Sequence, residues 1–234
     1  MKNKYNLTAR ASLLALVLTA AFALNASAVT LWYNGDFNGV NGLANERNTI
    51  VSQAAVYDDF NVTGPGWHIT SVFSDNLANT VTSGADWEIR TGISEGNAGT
   101  LVASGTTSAP VVTLTGRSGF NYLEYMVQVN GLNITLAPGH YWLNVTPIDG
   151  GSGRSFNSTT SGTNCIGTPC GNNQMAFFNS TYFGYFFSST ANVQQPYDFS
   201  NGVIGTVVPE PAIAALLTCG LGALLIAVRR RRSS

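Results

Sequence analysis

Charge is scarce in this chain. Only 10% of its 234 residues are charged, and segment 29–208 holds four arginines, eleven acids and no lysine. A nucleic-acid-binding protein needs a basic face to meet the phosphates, so this composition excludes that class of partner. Intrinsic disorder is excluded as well, because a chain with 44% hydrophobic residues can bury enough apolar surface to fold.

Groups that could carry catalysis are equally few. A Ser or Cys nucleophile needs a base held against it, and the chain has two histidines, His68 and His140, and no Gly-x-Ser-x-Gly motif. Glu88 and Glu124 could form the carboxylate pair of a glycosidase, but both alternate with apolar residues and are expected on solvated strand faces. We therefore expect no catalytic residue, metal or cofactor. The alternative is a secreted hydrolase that acts on surface glycans through Glu88, Glu124 or a histidine.

Helical periodicity is absent from segment 29–208, and alternating apolar stretches rich in Val, Ile, Thr and aromatic residues recur instead. This pattern predicts one all-β domain over 29–207, a β-sandwich of jelly-roll type, with a closed barrel as the alternative. Asn130 and Gly131 are predicted to form a hairpin turn. The predicted strands are 54–62, 67–73, 86–91, 111–115, 122–129, 133–136, 141–145, 175–179, 182–188 and 203–207.

The strand predicted at 122–129 indicates which of its faces is buried. Leu123, Tyr125, Val127 and Val129 alternate with Glu124 and Gln128. Since successive side chains of a strand point to opposite faces, we expect the apolar set in the core and the polar set in solvent.

Segment 150–174 differs from the rest because it consists largely of Gly, Ser, Thr and Asn, and it predicts a long loop. Cys165 and Cys170 lie within it. In an exported chain, two cysteines so close are expected to form a disulfide, with two free thiols as the alternative. Structural zinc is disfavoured because no histidine lies nearby.

Adjacent acids at Asp58 and Asp59 raise the question of a calcium site. Calcium takes six to eight oxygen ligands, and Asp36 or Asp75 could add to this pair. The EF-hand spacing is absent, and neighbouring acids at a strand edge are usually solvated, so solvation is the favoured interpretation.

Aromatic residues cluster near position 185. Exposed rings on a sandwich can stack against sugar faces, but most rings in a domain poor in leucine are needed for its core. The clustered residues are Tyr182, Phe183, Tyr185, Phe186 and Phe187.

The first 28 residues have the three parts of a secretory signal. Lys2, Lys4 and Arg10 accompany the apolar run 11–24, and Ala26 and Ala28 supply small residues for signal peptidase. We predict cleavage after Ala28, with a short membrane anchor as the alternative.

The last 27 residues contain a short motif, an uncharged run and a basic cluster. Seventeen uncharged residues at 212–228 would make about 25 Å of helix, at the short end of what spans a bilayer. The positive-inside rule keeps the basic cluster cytoplasmic and places the domain outside the inner membrane. The motif is Val208, Pro209, Glu210 and Pro211, and the cluster is Arg229, Arg230, Arg231 and Arg232.

This order of parts resembles a PEP-CTERM protein-sorting signal, and the resemblance covers residues 208–234 only. It implies recognition by an integral-membrane exosortase of a Gram-negative bacterium that makes extracellular polysaccharide. The protein would then reside transiently in the inner membrane and afterwards at the cell surface or in the extracellular matrix, with polysaccharide as the expected partner. The alternative is a plain anchor, since Pro211 and Glu210 also suit the start of an ordinary helix.

Overall fold

The computed structural model describes residues 27–48, 50, 52–80, 82–149, 151–181, 184–209 and 220. Within these residues the chain is all-β, with two sheets and one short helix, α1 (Ser189–Val193). An eight-stranded sheet contains β1 (Val29–Tyr33), β2 (Phe37–Ala44), β5 (Trp67–Ala78), β8 (Val111–Gly119), β9 (Tyr122–Leu136), β11 (Ser155–Thr160), β14 (Asp198–Phe199) and β15 (Asn201–Val207).

The second sheet has seven strands. They are β3 (Glu46–Arg47), β4 (Gln53–Val62), β6 (Gly84–Thr91), β7 (Thr100–Thr107), β10 (Gly139–Ile148), β12 (Phe177–Ser180) and β13 (Gly184–Ser188). Their order across the sheet is β13-β12-β4-β3-β10-β6-β7, and β4 also pairs with β10. This order leaves β13 and β7 at the two edges.

The two sheets pack face to face through a shared apolar core. Trp32, Val72 and Val203 from the eight-stranded sheet meet Phe60 and Leu143 from the seven-stranded sheet in one buried cluster. The alternation seen in the sequence explains this cluster, because in β6 Trp87 and Ile89 point inward while their neighbours point outward.

The predicted hairpin at Asn130 and Gly131 is wrong. Both residues lie inside the single long strand β9, which joins the predicted strands 122–129 and 133–136. The pairing of β9 with β5 shifts register between Ile69 and Ser71, opposite this dipeptide, and Gly131 has a φ of 75°. The dipeptide therefore forms a β-bulge that bends one strand, since glycine tolerates positive φ at low cost.

The predicted long loop at 150–174 is also wrong in part, because β11 lies within it. Its buried positions are serine, asparagine and threonine, so the strand has no apolar pattern. It nevertheless pairs with β5, β2 and β14, and these pairings satisfy its backbone. The other strands outside the predicted segments are β1, β2, β3, β7 and β14.

The first part of β9 reverses the predicted faces. Leu123 is 51% exposed, whereas Glu124 is fully buried. Val127 and Val129, further along, are buried as predicted. The reason is that Glu124 is enclosed by the neighbouring strand β8, whose Arg117 guanidinium and Thr115 hydroxyl contact its Oε2.

Both ends of the described domain lie at the same end of the eight-stranded sheet. Val29, at the start of β1, pairs with Gly205 in β15, and Val207, at the end of β15, pairs with Trp67. Among the described residues, no helix has the length and apolarity needed to cross a bilayer. The helix predicted at 212–228 lies outside the described residues except for Gly220, as do Ala26, Glu210, Pro211 and Arg229 to Arg232.

Candidate functional site

A groove of about 640 Å³ crosses the outer face of the seven-stranded sheet. Alternation along each strand places its polar residues here, because the intervening residues face the core. In β6, Asp86 and Glu88 point into the groove. Every strand of the sheet contributes to the lining, which includes Arg47, Gln53, Tyr57, Ser104, Thr106, Asn144, Thr146, Asn179 and Tyr185.

Asp86 is paired with an arginine from a distant part of the chain. Its Oδ2 lies 2.6 Å from Nε of Arg47 in β3, and its Oδ1 accepts a hydrogen bond of 2.6 Å from the Thr106 hydroxyl in β7. The side chains of Arg47 and Asp86 are 46% and 27% exposed, so both remain in contact with solvent. This carboxylate is therefore neutralised but still accessible to a ligand.

Glu88 is held in a similar way. Its Oε2 accepts hydrogen bonds from the Tyr57 hydroxyl at 2.8 Å and from Nε of Arg90 at 2.6 Å. Burial, followed by the charge of Glu88, raises the pKa of Tyr57, so its hydroxyl stays a hydrogen-bond donor. Arg90 in turn stacks over Phe186, with the guanidinium carbon 5.3 Å from the ring centre. Glu88 is thus fixed by a donor on each side.

The floor of the groove rests on a buried amide network. Asn45 donates from Nδ2 to the carbonyl of Val145 at 2.8 Å, and its Oδ1 accepts from Thr146 at 2.9 Å. Asn144 donates from Nδ2 to the carbonyl of Val56 at 2.8 Å. These bonds fix the side chains of Asn144 and Thr146, so the polar groups of the floor are preorganised.

One exposed aromatic ring stands beside this floor. Tyr185 in β13 is 59% exposed and lines the groove, while its neighbour Phe186 is fully buried beneath it. The two rings are 4.9 Å apart and meet at 81°. Phe187 is also exposed, at 40%. Tyr182 and Phe183, the other members of the predicted aromatic cluster, lie outside the described residues.

The two glutamates considered as a glycosidase pair do not meet. Glu88 lies in the groove of the seven-stranded sheet, whereas Glu124 lies in β9 of the other sheet and is fully buried. The expectation that Glu124 is solvated is therefore wrong. Its Oε2 accepts from the Thr115 hydroxyl at 2.6 Å and pairs with Arg117.

Arg117 is the centre of this second cluster. Its Nη1 lies 2.7 Å from Asp36 Oδ1, and its Nη2 lies 2.8 Å from Asp75 Oδ2. Burial, together with the charge of Glu124, raises the pKa of Asp75 to about 6. The Tyr33 hydroxyl, 2.7 Å from Asp36 Oδ1, closes the cluster.

The predicted calcium ligands are therefore divided between two places. Asp36 and Asp75 bind Arg117, while Asp58 and Asp59 form a separate group with Asp198. Burial, followed by the charge of Asp198, raises the pKa of Asp58 well above its ordinary value. Asp58 and Asp59 are both buried, so the expectation that they are solvated is wrong. Across the part of the chain that the structure describes, no group of three or more His, Cys, Asp or Glu side chains is arranged to hold a metal.

The two histidines have different surroundings. His68 Nε2 lies 2.8 Å from Asn133 Oδ1 at the surface. His140 Nε2 lies 2.6 Å from Asp59 Oδ2, and that carboxylate also accepts from Asn173 at 3.0 Å. His140 has 38% of its side chain exposed and therefore forms a half-buried acid–imidazole pair.

The cysteine-bearing segment fastens the two sheets together. Cys165 and Cys170 are joined by a disulfide, with their Cα atoms 5.6 Å apart. Within this ring, Ile166 exchanges backbone hydrogen bonds with Tyr33 of the eight-stranded sheet, and the carbonyl of Thr168 accepts from Asn61 N. The ring thus connects β1 with the strand β4 of the opposite sheet.

The described part of the predicted sorting motif begins directly at the domain surface. Val208 N donates to the carbonyl of Gly66 at 2.9 Å, one residue after β15 ends. The groove lies far from this point along the strands. It takes in Gln53 and Ala54 at the start of β4, whereas Gly66 follows the end of that strand.

Comparison of the chain with models of known families, with curated proteins and with solved structures finds no significant match. The function is therefore argued from the groove itself. Sequence reasoning singled out Glu88 and Tyr185 but not Asp86 or the arginine that neutralises it. The one available signal was the charged alternation of Asp86, Glu88 and Arg90 along β6, which is also typical of any solvated strand face.

Proposed function

We propose that this chain is an exported surface protein whose jelly-roll-like β-sandwich binds extracellular polysaccharide in the groove and does not cleave it. The observation that supports this proposal is the neutralisation of the three groove carboxylates, Glu46, Asp86 and Glu88, each of which is paired with an arginine and a hydroxyl. A glycosidase needs one free acid and one free base or nucleophile across a cleft. A groove of fixed donors and acceptors beside an exposed ring instead suits binding of a sugar chain.

The charge of the domain favours a neutral polysaccharide. Segment 29–208 carries four arginines against eleven acids, so a polyanionic glycan would approach against a repulsive field. The arginines that contact the groove carboxylates, Arg47, Arg90 and Arg154, are already occupied by Asp86, Glu88 and Glu46. We therefore expect neutral glucans or mannans to bind more tightly than uronate polymers.

Binding can be tested with one pair of matched variants. Tyr185→Ala removes the exposed ring that lines the groove, and Phe187→Ala removes an exposed ring from the same strand outside the groove lining. We expect a loss of roughly tenfold or more in affinity for a neutral glycan from the first change, because stacked rings carry a large share of such binding, and little loss from the second. Equal losses in both variants, or a panel of neutral glycans that never binds, would refute the groove as the site.

The sorting part of the proposal rests on the resemblance of residues 208–234 to a PEP-CTERM signal. It is tested by placing one tag within the domain and another after Ser234 in a host that has the sorting machinery. A surface form that lacks the C-terminal tag, and that is lost in Glu210→Ala, is the expected result. An intact protein retained in the inner membrane in both cases would identify a plain anchor.

A secreted hydrolase remains the second candidate because of the contact between Asp59 and His140. A buried acid that orients a half-exposed imidazole is the arrangement of a general base. Turnover of an ester or glycan panel that is abolished in His140→Gln would establish it, and the binding proposal predicts that no such turnover occurs.

A further inference from the structure

The groove is open at one edge of the seven-stranded sheet, the edge formed by β7. Ser104 and Thr106 of β7 line the groove, and within the described residues β7 pairs with β6 alone. The other side of β7 therefore presents unpaired backbone N–H and C=O groups, which are the recognition chemistry of another extended strand.

This edge lacks the charged residues that usually keep strand edges apart. Residues 96–116 contain no Asp, Glu, Lys or Arg, although segment 29–208 as a whole is acidic. Natural edge strands are protected by lysine, proline, inward-pointing charges or bulges. The pairing of β7 with β6 has one irregularity, at Val102, which lies opposite the step between Ile89 and Arg90. Residues 103–107 of β7 pair regularly with β6.

Exposed apolar side chains flank the same edge. Leu101 and Val102 in β7 are 46% and 41% exposed, and Val111 and Leu114 in the following strand β8 are 47% and 57% exposed. Like-charged copies of an acidic domain repel each other least where each surface carries no charge. The uncharged side formed by β7 and β8 is such a surface.

We propose that two copies of this chain pair antiparallel through β7, so that the grooves of both copies form one continuous binding surface. In antiparallel pairing of a strand with its own copy, the two-fold axis is perpendicular to the sheet, and directly opposed residues point to the same face. The outer faces of both seven-stranded sheets therefore lie on one side, and the open end of each groove meets the open end of the other. A second copy is the occupant because the absence of charge over residues 96–116 lets two acidic domains meet at this edge without repulsion. The ligand part of this inference rests on the proposed function, whereas the pairing does not.

The pairing is tested on the full-length chain in detergent, with Cys219→Ser as background so that no free thiol remains outside the disulfide. Sedimentation equilibrium is expected to give the mass of two chains. Val102→Lys places a charge at the edge and is expected to weaken association roughly tenfold or more. Val40→Lys is the matched control, because Val40 is 56% exposed on β2 of the other sheet, and it is expected to leave the dimer intact.

A second measurement does not depend on the stability of the lysine variant. Ser104→Cys in the same background is expected to form a covalent dimer with a short bifunctional maleimide, whereas Thr113→Cys on the neighbouring strand β8 is not. A monomeric chain, a dimer unaffected by Val102→Lys, or equal cross-linking at both cysteines would overturn the proposal.

Glycan binding separates this proposal from the previous one. If both hold, monomeric Val102→Lys binds a short neutral oligosaccharide as the unmodified chain does but binds a long polymer more weakly, because two linked sites give avidity. A dimer that binds no glycan would retain the pairing and refute the polysaccharide function.

Discussion

The outer faces of the two sheets both carry an arginine paired with carboxylates, but the two clusters differ in their exposure to solvent. On the seven-stranded sheet, Arg47 pairs with Asp86 and both stay partly exposed. On the eight-stranded sheet, Arg117 pairs with Asp36, Asp75 and Glu124, and the last two have at most 3% of their side chains exposed. Burial makes the difference. An arginine–carboxylate cluster that is covered fixes the fold, while one left open supplies polar groups to a ligand.

The largest expected effect comes from removing the covered arginine. Arg117→Met leaves three carboxylates without their cation, two of them buried, and is expected to cost about 3 kcal/mol in the free energy of unfolding. Arg47→Met is the matched change on the open face and is expected to cost less than about 1 kcal/mol, because exposed pairs contribute little. Urea unfolding of both variants measures these costs. Equal costs would remove the distinction between the two faces.

The disulfide ring sharpens the same comparison, because the two residues directly before Cys165 contact Asp36 of the Arg117 cluster and no residue of the ring lines the groove. Asp36 donates its backbone N–H to the carbonyl of Thr163, and its Oδ2 accepts from Asn164 at 2.7 Å. Replacing both Cys165 and Cys170 with serine is expected to lower the free energy of unfolding by about 2 kcal/mol, on the chain-entropy estimate for so short a ring. Glycan affinity at the groove is expected to stay unchanged. A parallel loss of affinity would show that the two faces are coupled.

The smallest expected effect is a dependence of stability on pH that originates in buried acids outside the groove. Burial raises the pKa of Asp75 and of Asp198 to about 6 in the folded protein, above the ordinary value of 3.8. Below about pH 6 these two carboxylates take up protons in the folded state, whereas the same carboxylates of the unfolded chain are still ionised. Stability therefore rises as the pH falls from neutral toward about pH 5.

Thermal unfolding at about pH 7.5 and about pH 5.5 checks this expectation. A higher melting temperature at the lower pH is expected, and Asp198→Asn should reduce the rise because that site no longer titrates. A melting temperature that falls over this range would contradict the assignment. Glu88→Gln in the groove serves as the control and should leave the rise in place.

The sequence predicted the strands whose two faces differ in polarity and missed those whose buried side is polar. Trp87 and Ile89 alternate with charged residues, and β6 lies where that pattern places it. In β11 the buried residues include Asn157 and Thr159, whose Nδ2 and hydroxyl donate to the carbonyls of Asp75 and Asn41, and no local pattern reveals these contacts.

The contacts in the groove were likewise only partly predictable from the sequence. Alternation placed Glu88 on an outward face, but the Tyr57 hydroxyl that donates to it is 31 positions away, and Arg47, which neutralises Asp86, is 39 positions away from that acid. Glu124 was expected in solvent because its alternation with apolar residues does not reveal Arg117, whose guanidinium also holds Asp36, 81 positions away from Arg117 in the chain. Partners that are remote in sequence decide whether an outward-facing acid is exposed or buried.

The positions of the chain ends determine how the domain would carry a mechanical load. The chain leaves the domain at Val207, while the groove includes residues at the far end of β4. A pull between an anchored tail and a held polymer would therefore act along the strands. Since β15 lies between β1 and β5 and its hydrogen bonds run across the direction of pull, many of these bonds must be sheared together rather than opened one at a time.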